Sequence, residues 1–226
     1  MTIDISNPNQ RTPCVLVLDA SGSMDTKTST GKTRIAELNA GVAAFEQALR
    51  SDPAALGRVQ IAIVVVGGPS NGAEVLMDWT DANQFSAFPL KSGGETPLGM
   101  GARIALELVE HGKSNLKAAG ISYTRPWIMV ISDGAPTDPD AYWSAAVNDC
   151  KAAEQARKVE IFTIGVEGAD LAKLGQLSTR PPLMMAGMKF RELFVWLSSS
   201  LSAASRSRPG EMAQLPPTDP WRNVGI

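Results

Sequence analysis

Histidine is almost missing from this chain and cysteine is scarce, with one His and two Cys among 226 residues. Neither a zinc quartet nor a disulfide framework can be assembled from so few. Cys14 and Cys150 both fall on apolar patterns and read as buried free thiols. An excess of charge of one sign is also lacking. The 21 basic and 23 acidic residues leave a net charge of −2. That balance excludes the basic footprint of a nucleic-acid or anionic-membrane binder. No apolar run approaches the ~20 residues a membrane span needs. The stretch Met1-Thr2-Ile3-Asp4-Ile5-Ser6 has neither the basic nor the apolar region of a signal peptide. A cytoplasmic location is therefore expected. What is plentiful is aliphatic: 44% of residues are hydrophobic, enough for a packed core. One domain over residues 1–205 is expected, followed by an extended, Pro-rich tail over 206–226 that packs back through Trp221.

Apolar runs alternate with helical stripes. Cys14-Val15-Leu16-Val17-Leu18 has the length and character of a strand buried on both faces. Ile35, Leu38, Val42, Phe45 and Leu49 then recur at spacings of three and four, one stripe of a helix that Asp52-Pro53 ends. Val59 to Val66 reads as a central strand. Ala73 to Trp79 follows too soon for a helical crossover and is expected antiparallel, at an edge. A helical turn at Asp81 to Phe85, a helix opening at Pro97, and a buried strand over Arg125 to Ser132 come next. Pro139 opens another helix, Lys158 to Val166 makes a strand, and Asp170 caps a short helix. Leu183 to Ala186 is a small strand. The last helix turns Phe190, Leu193, Phe194, Leu197 and Leu201 inward. This alternation predicts a doubly wound α/β fold: a mostly parallel six-stranded sheet with one antiparallel edge strand and helices on both faces. In the strand order 3-2-1-4-5-6, the first and fourth strands are neighbours where the winding reverses, and ligands collect at their carboxyl ends.

Asp19 follows the first strand and Asp133 the fourth. The fold thus brings together two carboxylates that are far apart in sequence. Asp19, Ser21 and Ser23 stand at i, i+2 and i+4; in an extended turn their oxygens point one way. Thr96, in the loop Gly93-Gly94-Glu95-Thr96-Pro97, offers a third hydroxyl. Taken alone, Asp19 and Ser21 also read as polar capping groups of a strand-to-helix turn, Thr96 reads as an N-cap and Asp133 as a turn residue. Together, the five oxygen-bearing side chains suit a hard divalent cation, Mg2+ above all, with Mn2+ or Ca2+ as alternatives. Asp25, Asp138 and Asp140 are read as loop charge and caps.

Three separated motifs in the right order, D-x-S-x-S at Asp19 to Ser23, Thr96 in a Gly-rich loop, and Asp133 after a buried strand, resemble the metal-ion-dependent adhesion site of a von Willebrand factor type A domain. The resemblance implies that the two Asp residues often act through bound water, leaving a coordination position that a partner protein's acidic side chain completes. It implies a binding module rather than an enzyme. Ser178-Thr179-Arg180-Pro181-Pro182, Phe190-Arg191-Glu192-Leu193-Phe194 and Leu215-Pro216-Pro217 resemble the bacterial stand-alone TerY-type members of that family, associated with tellurite resistance and stress response. That narrower likeness implies a kinase or PP2C-like phosphatase as partner. The competing readings are a magnesium-assisted hydrolase using the same oxygens and a scaffold with a purely structural metal.

Other motifs fail on their own terms. Gly31-Lys32-Thr33 lacks the Gly that a P-loop needs at position 26, where Thr26 stands. Gly99 and Gly101 are followed by Ile104 where a dinucleotide fingerprint has its third Gly, so they read as small residues for close helix–sheet packing. Ser21 lacks the flanking glycines of a nucleophile elbow, and His111, near the polar end of a helix, reads as a surface side chain.

Overall fold

The structure is a computed structural model that describes residues 9–133, 135–185, 187, 189–206 and 214–222. Six strands form one sheet: β1 (Thr12–Ala20), β2 (Val59–Gly67), β3 (Gly72–Asp81), β4 (Trp127–Ser132), β5 (Glu160–Gly165) and β6 (Leu183–Met184). Their order is β3-β2-β1-β4-β5-β6. All neighbours are parallel except β2 and β3, which run antiparallel at the edge. The expected strand order and the single antiparallel edge are both borne out.

The helices divide by face. Cys14, Leu16, Leu18 and Ala20 of β1 point into one core, with side chains of α1 (Arg34–Ser51), α2 (Pro53–Arg58) and α6 (Phe190–Arg206). Val15 and Val17 point into the other, with α3 (Leu98–Ala118), α4 (Asp140–Gln155) and the short α5 (Leu171–Leu174). Period-two alternation with an apolar layer on each side explains why the strand reads as an unbroken aliphatic run. The first core is aromatic: Phe45 lies 5.7 Å from Phe85 and 5.6 Å from Phe194, ring centre to ring centre. The second admits α3 closely because Gly101 has no side chain. A Cβ there would stand 2.5 Å from a Val66 methyl. Trp221 is fully buried, 5.2 Å from Trp196, and Trp196 Nε1 donates to the Pro216 carbonyl.

Several local expectations need correcting. Asp52-Pro53 ends α1 but also starts α2, with Asp52 Oδ1 accepting from Ala54 N and Ala55 N. Six residues are too few to show a helical stripe, so only the stop signal was readable. Pro97 is the N-cap of α3 rather than its first residue, which also removes Thr96 from that capping role. The helical turn expected at Asp81 to Phe85 is present as a single turn, with Gln84 N and Phe85 N both donating to the Asp81 carbonyl. Ala186, the expected end of the last strand, lies outside the described residues, as do most of the expected tail and positions 1–8. No helix among the described residues is long and apolar enough to cross a membrane.

Candidate functional site

The carboxyl ends of β1 and β4 lie side by side, with Leu18 opposite Ile131. Asp19 is the penultimate residue of β1 and is wholly buried. Its Oδ1 accepts from Ser21 N at 2.8 Å and its Oδ2 from Ser132 Oγ at 2.5 Å. Burial pushes the Asp19 carboxyl above its usual range, and the nearby Asp133 charge adds to this. The hydrogen bonds from Ser132 and Ser21 oppose the rise without cancelling it.

The chain does not continue as an extended turn after Asp19. Ser21 caps a 3-10 turn over Gly22–Asp25, and that turn buries Met24 in the aromatic core while leaving Ser23 facing out. The curl brings the Ser21 and Ser23 hydroxyls to 3.0 Å. Ser23 Oγ then donates to Asp133 Oδ1 at 2.6 Å. Asp19, Ser21, Ser23 and Asp133 are thus one hydrogen-bonded chain, from strand end to turn to the neighbouring strand end.

Thr96 comes from the loop that closes over this turn. Gly93 N donates to Ala20 O at 2.9 Å, and Gly22 N donates to Gly94 O at 3.0 Å. The loop comes this close because Gly67, at φ +79°, ends β2 beside Ala20. A Cβ on Gly67 would meet the Glu95 carbonyl at 2.6 Å and the Ser21 Cα at 2.7 Å. Thr96 is buried, and no hydrogen bond of its hydroxyl joins it to another described residue. Its backbone is clamped by the loop after β4. Thr96 N donates to Thr137 Oγ1 at 3.1 Å, and Thr137 N donates to Thr96 O at 3.0 Å. Asp138 then accepts from Gly99 N and Met100 N at the start of α3. Asp138 is a cap as expected, but of α3, not of the helix that follows it. Asp25 accepts from Ser92 Oγ, and Asp140 lies in the first turn of α4.

Arg34 is the residue that sequence reasoning missed. Its Nη1 donates to Asp133 Oδ2 at 2.6 Å, and the Asp133 side chain is fully buried. A signal was available. An arginine opening a helix opposes the helix dipole, whose amino end favours negative charge, so its presence at the head of α1 calls for a partner. Ser132 was missed too, hidden at the end of an apolar strand.

The donor set is two carboxylates and three hydroxyls, with one guanidinium beside them. Among the described residues no three His, Cys, Asp or Glu side chains group as a metal site. A cation here would depend on the hydroxyls. Oxygen-only donors, two carboxylates and three hydroxyls, fit a hard divalent ion.

The family model described as von Willebrand factor type A domain matches residues 14–135. Among solved structures, the pilus adhesin SpaC from Lactobacillus rhamnosus GG is similar at 15% identity and a TM-score of 0.66. The match covers 86% of this chain and 31% of the adhesin, so this chain spans about a third of that protein. The vWF domain of the type V pili tip protein Mfa5 from Porphyromonas gingivalis is similar at 14% identity and a TM-score of 0.64, covering 90% of this chain and 98% of that one. The ArnB paralog VWA2 from Sulfolobus acidocaldarius is similar at 21% identity and a TM-score of 0.51, covering 84% and 45%. These likenesses speak to the fold alone. The comparison with curated protein sequences finds no match.

Proposed function

The chain belongs to the von Willebrand factor type A family, and we propose that it is a protein-binding module that captures a partner's acidic side chain through a bound divalent cation. Domains of this family commonly mediate protein–protein interactions. The observation that carries the finer reading is the hydrogen-bonded chain from Asp19 through Ser21 and Ser23 to Asp133, at the carboxyl ends of adjacent strands. Asp19, Ser21, Ser23, Thr96 and Asp133 would hold the ion, Mg2+ by preference with Mn2+ or Ca2+ as substitutes. Bound there, the metal supplies an electrophilic centre for an outside anion. The protein's part is to fix the oxygens: strand pairing sets Asp19 and Asp133, the 3-10 turn sets the two serines, and the Thr137 clamp sets Thr96.

We read the site as binding rather than catalytic. The carboxylate oxygens of Asp19 and Asp133 are engaged by Ser21, Ser132, Ser23 and Arg34. The single histidine, His111, is exposed on α3 and lines a surface cavity between α3 and α4. The C-terminal sequence likeness to TerY-type members supports a stress or phosphosignalling setting, with a kinase or PP2C-like phosphatase as partner, and the sequence's lack of a signal-peptide pattern supports a cytoplasmic one.

Calorimetric titration with Mg2+ tests the reading. The unaltered chain is expected to bind one ion. Asp19→Ala is expected to lose more than about 100-fold in affinity, beyond the ~10–100-fold typical of outer-shell changes. Proteins captured from lysate by the unaltered chain in Mg2+ should be released by EDTA and be missing with Asp19→Ala and Thr96→Ala. Captured proteins that ignore both EDTA and the substitutions would overturn metal-bridged capture. Phosphoester turnover that dies with Asp19→Ala would make the site an enzyme's.

A further inference from the structure

Arg34 is placed where the cation's positive charge would act, and it is already paired. Its guanidinium donates to Asp133 Oδ2 at 2.6 Å, and Ser23 Oγ donates to Asp133 Oδ1 at the same distance. Both oxygens of that carboxylate are therefore engaged by protein donors. Asp133 is buried to 0% side-chain exposure and Arg34 to 16%, so the pair is only weakly screened by water. Arg34 sits in the first turn of α1, against the helix dipole. Among the described residues, Asp133 is its one charged partner.

We propose that Arg34 is a built-in competitor of the divalent cation. It serves as the counter-ion of Asp133 in the metal-free protein and sets how weakly the site holds metal. This rests on the binding-module reading above. A buried carboxylate left unpaired beside a second one is costly, and Arg34 removes that cost when no metal is present. The same guanidinium leaves the cluster of two carboxylates with one net negative charge instead of two. A divalent ion held by Ser21, Ser23 and Asp133 would share the Asp133 carboxylate with the like charge of Arg34. The ion's affinity would be lower for that shared charge, leaving it exchangeable. A purely structural Arg34 predicts the opposite sign. Without it, Asp133 would lose its orientation and metal would bind less well.

The test is calorimetric titration of the full chain with MgCl2 and with MnCl2, comparing the unaltered protein with Arg34→Gln and Arg34→Lys. Arg34→Gln is expected to bind about tenfold more tightly, because one like charge at close range has gone. Arg34→Lys keeps the charge and is expected to stay nearer the unaltered protein than Arg34→Gln. Thermal melting gives a second readout. Metal-free Arg34→Gln should melt lower than the unaltered chain, and Mg2+ should raise its melting point by more. Arg34→Gln binding equally or less well, or Arg34→Lys binding as tightly as Arg34→Gln, overturns the competitor. If the unaltered chain binds and Asp19→Ala does not, that failure leaves the binding-module reading standing. Binding by none of the three proteins overturns both.

Discussion

The sheet carries an arginine–aspartate pair at each end, and the two are built differently. At the amino end of β1, Arg11 is buried, with its Nε 3.7 Å from Asp81 Oδ1 and its Nη1 donating to Asn9 O. Gln60 Nε2 donates to the same Asp81 oxygen, and the Arg11 backbone pairs with Ser122 and Thr124. At the carboxyl end, Arg34 meets Asp133 among three hydroxyls and a second buried carboxylate, where four loops converge. The amino end ties together the start of β1 and the end of the edge strand around a single carboxylate, Asp81. The carboxyl end instead places a second buried carboxylate, Asp19, beside the pair, with the Ser21, Ser23 and Ser132 hydroxyls around them. On the proposed function, ligand binding falls to the end with two carboxylates and stability to the end with one.

Removing each arginine sharpens that contrast most. Arg11→Ala is expected to cost about 3 kcal/mol of folding stability, because a buried charge loses its partner and its packing. Urea denaturation measures this, and Mg2+ affinity should not change. If Arg11→Ala also abolished metal binding, the two ends would not be separable. Next in size is Gly67→Ala. The added Cβ would press on Glu95 O and Ser21 Cα at a positive φ. The expected cost is about 1–3 kcal/mol, and here Mg2+ affinity should fall too, since the Thr96 loop must move. A Gly67→Ala protein with normal affinity would detach that loop from the site.

The smallest effect concerns Asp52, which caps α2 on the amino-end side of β2. Burial alone would raise its pKa. The Ser202 hydroxyl, the Ala55 and Ala54 amides and the charge of Arg206 outweigh this and hold it below the usual carboxylate range. A lowered folded-state pKa contributes stability above the unfolded value, about 3.9, and that contribution is lost as pH falls through the folded value. Asp52→Asn should therefore flatten the acid limb of the stability curve below about pH 4 and leave metal binding untouched. An acid limb as steep as the unaltered chain's would assign the loss to other carboxylates.

The fold was legible because its signals are local and repeated. Aliphatic runs such as Val59 to Val66 read as strands, and the stripe from Ile35 to Leu49 reads as a helix with an inner face. Strand count and alternation then bring Asp19 and Asp133 to one edge. The short α2 was not legible, since six residues carry no period. The geometry of D-x-S-x-S was legible only in part. Residue spacing suggested an extended alternation, whereas the 3-10 turn that brings the serines together follows from Met24 reaching into the core.

By itself the sequence determined which residues can form strands and helices, and which oxygens lie within reach of the switch point, since both follow from neighbours a few positions away. The tertiary structure alone decided that Arg34 neutralises Asp133, that Asp138 caps α3, and that Gly67 lets the Thr96 loop close over Ser21. Those are pairings between distant positions, and packing chooses among the many partners each charged or polar group could take.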